Sequence, residues 1–538
     1  MGDDSIPQEK RPSAPADDRK QSQTIARHTG TVSFFTMLSR VGGLVRDAVF
    51  THIYGAGAVA DAFVVALTIP NTFRNLVAEG SLTVAFLPVF DATLKEKGEA
   101  RAREVMASAL YVFPLIGLFL TFLGIIFAGP LVDLFASGYR RTPGQHELTK
   151  HMTQIMFPYL AMISFVALAM GALNARRRFA SSAASPVLYN IVQTIVMVLL
   201  AKYLAIPIYA AAIGVVLGGI AQVWMQIDEM KRVGLWVKPS YKIEPEVRRI
   251  LSLMVPGLAS LAVYQINIVA LRHFGSYLPQ GSITYLYAAD RFVQLPLGVF
   301  SVAIATASLP ILAGAFREGG KEGLRAVTLQ SLRLTHVVVV PSTIALAVLA
   351  VPLVSTAFQH GAFTWPMTQS TAQATMAFAM GLVPLSGIRV FSQGFFAMQN
   401  TRAPVLCSVV GVSTNLIAAP LLAQQFSFMG LAMSVSLAAW MQWTVAGLWL
   451  GRHVGFSGVA RTMLAMLRDA ACAALMGLAV WRIVQYGRWE QGLSAYNTII
   501  LMASVLVGSI IYIALQLMLR GAEMQDLLQS VAKRFKRK

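Results

Sequence analysis

Ser39-Arg40-Val41-Gly42-Gly43-Leu44-Val45-Arg46-Asp47 opens a stretch, 31–91, that runs on through Gly55-Ala56-Gly57, Asp61-Ala62-Phe63, Ile69-Pro70-Asn71-Thr72-Phe73-Arg74 and Glu79-Gly80. Its hydropathy is that of two helices, each long enough to cross a hydrocarbon core of about 30 Å. Yet it carries Arg40, Arg46 and Arg74 together with Asp47, Asp61 and Glu79. A charge at the centre of a bilayer costs at least ~2.5 kcal/mol on insertion scales, so residues of this kind mark function more often than packing.

Working outward, the 538-residue chain is 56% hydrophobic and 13% charged, half the charge of a soluble protein. Apolar runs cover nearly everything after residue 30, which implies an all-α polytopic membrane protein. Fourteen transmembrane helices are expected, at about 31–53, 60–90, 105–133, 151–174, 184–202, 207–230, 249–273, 282–312, 334–357, 369–399, 403–422, 428–450, 464–483 and 496–519. Residues 1–29, rich in Pro, Ser and charge, read as a disordered tail. The segment 313–333, with Arg317, Lys321, Arg325 and Arg333, reads as an interfacial amphipathic helix. No cleavable leader is expected ahead of the first span.

The net charge of +19 has a topological explanation. Placing both termini in the cytoplasm puts 32 Lys and Arg on that side and seven on the other, as the positive-inside rule requires. Arg176-Arg177-Arg178 and the tail Lys533-Arg534-Phe535-Lys536-Arg537-Lys538 belong to this excess, which also attracts anionic lipids. Nucleic acid is not needed to account for it. Five basic residues remain inside spans, all arginine: Arg40, Arg46, Arg74, Arg291 and Arg389. No P-loop, HExxH or Cys/His metal spacing occurs, so no nucleotide, metal, cofactor or catalytic residue is expected. Cys407 and Cys472 sit in apolar runs as core residues.

The chain repeats itself weakly. Pro158 precedes Asn174 by sixteen residues, as Pro384 precedes Asn400, and Leu87-Pro88 matches Leu309-Pro310. Arg74 and Arg291 fall in the second span of each half. Two pseudo-repeated six-helix lobes, 30–232 and 247–451, are expected to face each other as in alternating-access transporters, followed by two C-terminal helices (464–519) and a basic tail (520–538).

At 1.5 Å per residue, Arg40, Arg46, Arg74 and Arg291 lie roughly 14–22 Å into their spans, bracketing mid-bilayer. Arg46 is about 240° around the helix from Arg40, and a break at Gly42-Gly43 would turn both toward one cavity. Arginine is always charged and grips two oxygens of a phosphate at once. Four of them imply an anionic ligand, most simply a pyrophosphate. The alternative is internal pairing: Arg46 with Asp47 or Asp61, Arg74 with Glu79, Arg291 with Asp290. These four carboxylates are assigned to orienting the arginines and to gating. Ser39 and Arg389 are secondary candidates, Arg389 being placed to snorkel to headgroups.

Ser39-Arg40-Val41, Gly43, Arg46-Asp47-Ala48, Gly55-Ala56-Gly57, Asp61-Ala62-Phe63, Pro70-Asn71, Arg74, Ala78-Glu79-Gly80, Ala85-Phe86-Leu87-Pro88, Tyr287-Ala288-Ala289-Asp290-Arg291, Pro296, Gly298-Val299 and Leu309-Pro310 together resemble the MurJ (MviN) lipid II flippase family of the multidrug/oligosaccharidyl-lipid/polysaccharide exporter superfamily. The resemblance covers about 31–520. It implies transfer of the peptidoglycan precursor lipid II, an undecaprenyl-pyrophosphoryl disaccharide pentapeptide, from the inner to the outer leaflet of the bacterial inner membrane. It further implies that Arg40, Arg46, Arg74 and Arg291 line a central cavity with Asp47, Asp61, Glu79 and Asp290 tied to them. Helices 464–519 would form a groove for the lipid tail. The cycle would run on the membrane potential or a coupled ion, with the peptidoglycan-synthesis machinery as a partner. Gln294 stands where some members have an acid, and the sodium ligands of some members find no match. Other readings are an exporter of another polyprenyl-linked oligosaccharide, a multidrug exporter, which would need acids in its cavity, or a polyprenyl-phosphate glycosyltransferase, for which the outer loops are too short.

Overall fold

A computed structural model of the chain describes residues 16–76 and 82–519, with 521, 523–526, 528 and 529. Among them there is no strand. The helices run α1 (Ala16–Tyr54), α2 (Ala58–Arg74), α3 (Thr83–Ile126), α4 (Ala128–Ala136), α5 (Gln145–Met156), α6 (Pro158–Ala175), α7 (Phe179–Leu200) and α8 (Tyr209–Arg232), then α9 (Pro245–Gly275), α10 (Ser282–Pro296), α11 (Val302–Val348), α12 (Ala350–Phe358), α13 (Trp365–Ala379), α14 (Leu382–Ala397) and α15 (Arg402–Val454), and finally α16 (Val459–Val484) and α17 (Ala495–Met518). Nine helices among the described residues are long and apolar enough to cross a membrane. Against fourteen expected segments the number is smaller partly because neighbouring spans join across sharp turns. At about 1.5 Å per residue α15 would stretch to ~80 Å if straight; instead it reverses at Ser427 (φ 52°). Gly430 there lies against the Leu422 carbonyl. The charged α1 is not one of the nine, because hydropathy discounts the residues that make it interesting.

The two halves break at matched places. Pro88 is followed ten residues on by Gly98 (φ 80°), and Pro310 ten residues on by Gly320 (φ 56°), each ending a second span where a residue with a side chain would be strained. Non-helical links at Phe127 and Leu349 then start nine-residue helices, α4 and α12. With these landmarks in register, Arg291 is level with Ile69 and not with Arg74, so the two arginines are not strict counterparts. The segment 313–333 is not a separate interfacial helix. It is split at Gly320, and its second part continues as a single helix to Val348.

Packing follows the same division. One buried cluster joins α1–α8 with the start of α9. A second joins α10, α12, α13 and parts of α15, and a third ties α16 and α17 to α11. Cys407 and Cys472 are buried free thiols. The helix α1 begins at Ala16, inside the segment expected to lack structure; polarity does not forbid a helix where no Gly or Pro intervenes. Residues 1–15, Glu79 and most of the basic tail lie outside the described residues.

At one end of the bundle the halves are clasped. Ala362 N–H donates to the His52 carbonyl (2.8 Å), and the His52 and His360 rings meet edge to face. Gly138 N–H donates to Ser276 Oγ (3.0 Å), Ser137 and Tyr277 share a hydroxyl hydrogen bond (2.8 Å), and His273 Nδ1 reaches the Leu134 carbonyl (3.0 Å). At the other end, the start of α9 and the loop before it are held to α3. Glu246 accepts from Lys97 (2.9 Å) and Arg101 (2.6 Å), while Glu244 pairs with Arg101 (2.7 Å) and Lys242 (3.0 Å). The Arg101 hydrogen bond, with help from Lys97, pushes the Glu246 carboxyl from the ordinary 4.5 down to about 2. A depressed carboxylate contributes stability that is whole above the unfolded value and lost as pH falls through the folded one. Thermal unfolding of the detergent-solubilised protein should therefore weaken between pH 4.5 and about 2. Glu246→Gln should flatten that window by at most ~1 kcal/mol, the range of solvent-screened pairs.

Candidate functional site

The four arginines singled out in the sequence line one cavity of about 290 Å³, with Ser39, Tyr159, Tyr189, Asn190 and Gln222 between them. They come from three helices: Arg40 and Arg46 from α1, Arg74 from the end of α2, Arg291 from α10. The expected break in α1 is absent, since the helix runs unbroken through Gly42-Gly43. These glycines lie beside Asn190 of α7, where a Cβ on either would sit 3.6–3.7 Å from its side chain, an ordinary contact, so the α1–α7 packing does not itself require glycine here. Arg40 and Arg46 reach the same cavity because it spreads over two adjoining faces of α1, one through Ser39, Gly43 and Arg46, the other through Arg40 and Leu44.

Asp47 is the hinge of the charge arrangement. It is 3% exposed and takes Arg46 from its own helix (Nη2, 2.6 Å) and Arg291 from the opposite half (Nε, 2.8 Å). Tyr287 of α10 donates to Asp47 (3.2 Å) and in turn accepts from Arg46 (3.3 Å) and from Arg291, whose guanidinium lies 4.4 Å from the Tyr287 ring centre. Arg46 is further held by the side-chain carbonyls of Asn190 (3.1 Å) and Gln193 (3.5 Å). Asn190 donates to the Ser39 carbonyl (3.0 Å), which fixes α7 against α1. Arg40 crosses to the other half and donates to the Gln294 carbonyl (3.0 Å). Its guanidinium fills the space where a Cβ on Gly298 would sit. Arg74 donates to Tyr159 (3.4 Å) and Asn75 (3.5 Å).

The carboxylates depart from expectation. Arg291 pairs with Asp47 and not with its neighbour Asp290, because α10 turns Asp290 toward a different hollow. Among the described residues, Asp61 bonds no arginine. It is 3% exposed and accepts from Gly281 N–H (2.6 Å), Thr284 N–H (2.7 Å) and Thr284 Oγ1 (2.6 Å). It thus caps, from the first half, the N-terminus of α10 in the second, where free N–H groups and the positive end of the helix dipole favour an anion. Arg389 is exposed on α14 and lines neither cavity.

The neutral partners of the arginines are not singled out by the sequence: Tyr159, Asn190 and Gln193, with Tyr287 entering only as part of a motif and Tyr189 as a further lining residue. Uncharged polar residues are common in apolar runs and do not stand out there as charges do. Arg272 was also missed, because it falls at the end of the seventh span and counted as an outer-loop residue. In the structure it is 8% exposed, inside α9.

The arginine cavity continues away from the clasped end. A further hollow of about 460 Å³ shares Ser39, Arg40 and Pro186 with it and extends to Val32, Asn174 and Phe179. The site is therefore a charged vestibule closed at one end by a hydrogen-bonded clasp and open toward the other.

The family model for lipid II flippase MurJ matches residues 50–513. A Vibrio cholerae serotype O1 protein named probable lipid II flippase MurJ is 31% identical over 507 residues, covering 92% of this chain and 96% of its own. A Burkholderia cenocepacia protein named lipid II flippase MurJ is 31% identical over 489 residues, covering 89% and 94%. Among solved structures, a lipid II flippase MurJ in an inward closed conformation superposes with a TM-score of 0.76 at 24% identity, over 92% of this chain and 99% of that one. A multidrug resistance MATE family transporter in an inward-facing conformation gives a TM-score of 0.61 at 16% identity, over 79% and 94%.

Proposed function

The chain belongs to the lipid II flippase MurJ family, and from that premise we propose how this transporter holds and moves its substrate. It is a lipid II flippase and a polytopic membrane protein, not a catalyst of a chemical reaction. Arg40, Arg46, Arg74 and Arg291 grip the pyrophosphate of the headgroup, the sugars and peptide fill the vestibule, and the polyprenyl tail stays in lipid along α16 and α17. The observation that carries this reading is the convergence of four arginines from three helices on one cavity. Guanidinium forks suit phosphate oxygens, and a cation exporter would need acids there.

The protein lies in the bacterial inner membrane with both termini cytoplasmic, so the clasped end faces outward and the vestibule opens to the side where lipid II is made. Rocking of the halves releases the clasp and presents the headgroup to the outer leaflet. Moving about two negative charges outward across an inside-negative membrane gains roughly 4–5 kcal/mol per 100 mV, so the potential is sufficient to drive the step without nucleotide; a coupled ion is the other source. Anionic lipids bind the basic cytoplasmic surface, and the peptidoglycan-synthesis machinery takes up the product.

The test is the leaflet accessibility of lipid II in a flippase-depleted strain. Wild-type protein should restore outer-leaflet lipid II. Arg74→Ala combined with Arg291→Ala should leave the lipid inside while the variant still inserts at normal abundance. An active double variant would refute the clamp.

A further inference from the structure

Beside the arginine vestibule, a second hollow of about 290 Å³ lies within the second half, lined by α9, α10 and α15 with parts of α13 and α14. Arg272 and Asp290 both line it. Arg272 is more than nine-tenths buried, and among the described residues its Nε and Nη1 have no hydrogen-bond partner. Asp290 receives one long hydrogen bond, from Gln294 (3.4 Å), while the neighbouring Arg291 is committed to Asp47. A buried cation and a carboxylate thus face one space without an ion pair between them. Removing charges from water is costly unless a partner replaces it. The arrangement is complementary to a ligand that carries both signs.

A pyrophosphate does not fit this description, since its charge would face Asp290. A carboxylate beside an ammonium does: two oxygens suit the guanidinium fork and an ammonium suits the aspartate. Asn267 lines the same hollow, and its side-chain carbonyl is occupied by Asn415 (3.0 Å), leaving its NH2 as a further donor. Gln294 borders both hollows, so one ligand can span them.

We propose that the hollow between Arg272 and Asp290 binds an amino-acid head group, its carboxylate on Arg272 and its ammonium on Asp290. The assignment rests on the flippase reading in taking that head group to belong to the peptide of the lipid-linked substrate. A free amino acid offers the same chemistry, and the experiment separates the two sources.

Full-length protein in nanodiscs is titrated with three probes. These are lipid II bearing a diamino acid with free ammonium and carboxylate, the same lipid with that ammonium acetylated, and the lipid-linked disaccharide without peptide. Wild type should bind the first about tenfold more tightly than the second, roughly 1.4 kcal/mol. Asp290→Asn should erase that difference. Arg272→Gln should weaken both peptide lipids yet leave the peptide-free lipid unchanged, which also shows that the variant is folded. Equal affinity of wild type for the first two probes overturns the proposal, as does a loss in Arg272→Gln that includes the peptide-free lipid. If a free diamino acid at millimolar concentration binds in an Arg272-dependent way without displacing lipid II, the substrate assignment is overturned. Failure of wild type to bind the peptide-free lipid would instead strike the arginine clamp itself.

Discussion

Asp47→Ala should abolish transport and destabilise the protein by about 3–5 kcal/mol, the cost of leaving a buried charge unpaired. Asp47 neutralises Arg46 (2.6 Å) and Arg291 (2.8 Å) at once, and both arginines also turn toward the Tyr287 hydroxyl. Without the carboxylate, two guanidinium groups share one neutral acceptor and repel. Arg46 keeps Asn190 and Gln193, whereas Arg291 loses its ionic partner. The variant should melt at lower temperature in detergent and fail to support growth of a flippase-depleted strain. Asp47→Ala combined with Arg291→Ala should recover part of the stability and none of the transport. That split separates a stability role from a transport role: wild-type activity of Asp47→Ala would exclude the second, and an unchanged melting temperature the first.

Asp61→Ala should open the clasped end. Three donors from the start of α10 converge on this carboxylate within 2.6–2.7 Å. Each buried donor left unsatisfied costs about 1–3 kcal/mol, and water is the only replacement. The variant should shift toward the state in which that end is hydrated. A cysteine pair placed in α2 and α10 should cross-link in the wild-type background and lose most of that cross-linking in Asp61→Ala. Asp61→Asn, which keeps an acceptor, should lie between. Unchanged cross-linking in Asp61→Ala would remove Asp61 from gating and leave it as a packing residue.

Much of the site was legible from residue chemistry alone. Arginine left over after topology is satisfied has few reasons to be in a membrane, and the four best candidates do share one cavity. Their partners were less legible. Arg291 stands beside Asp290 in the chain, but successive residues on a helix point about 100° apart, and the ion pair goes to Asp47 on another helix. Asp61 reads as an ion-pair partner because it is a carboxylate near arginines. Its use as a cap depends on where α10 begins in space, which local sequence does not encode. Gly42-Gly43 reads as a kink, yet α1 runs unbroken through it, because two glycines permit a break without requiring one. Arg272 lies just inside the end of the 249–273 span, where a basic residue reads equally well as part of the outer-loop charge.

The contacts that shut one end are amide, hydroxyl and ring contacts, an arginine stacked on Tyr277 and the buried Asp61 cap. Among the described residues none is an ion pair between the halves. Mobile ions screen exposed charges over about 8–10 Å at ordinary salt and reach buried dipoles poorly. Ionic strength is therefore a weak handle on this gate. Salt titrations should alter how the substrate's phosphates are met at the open mouth and leave the far door nearly indifferent.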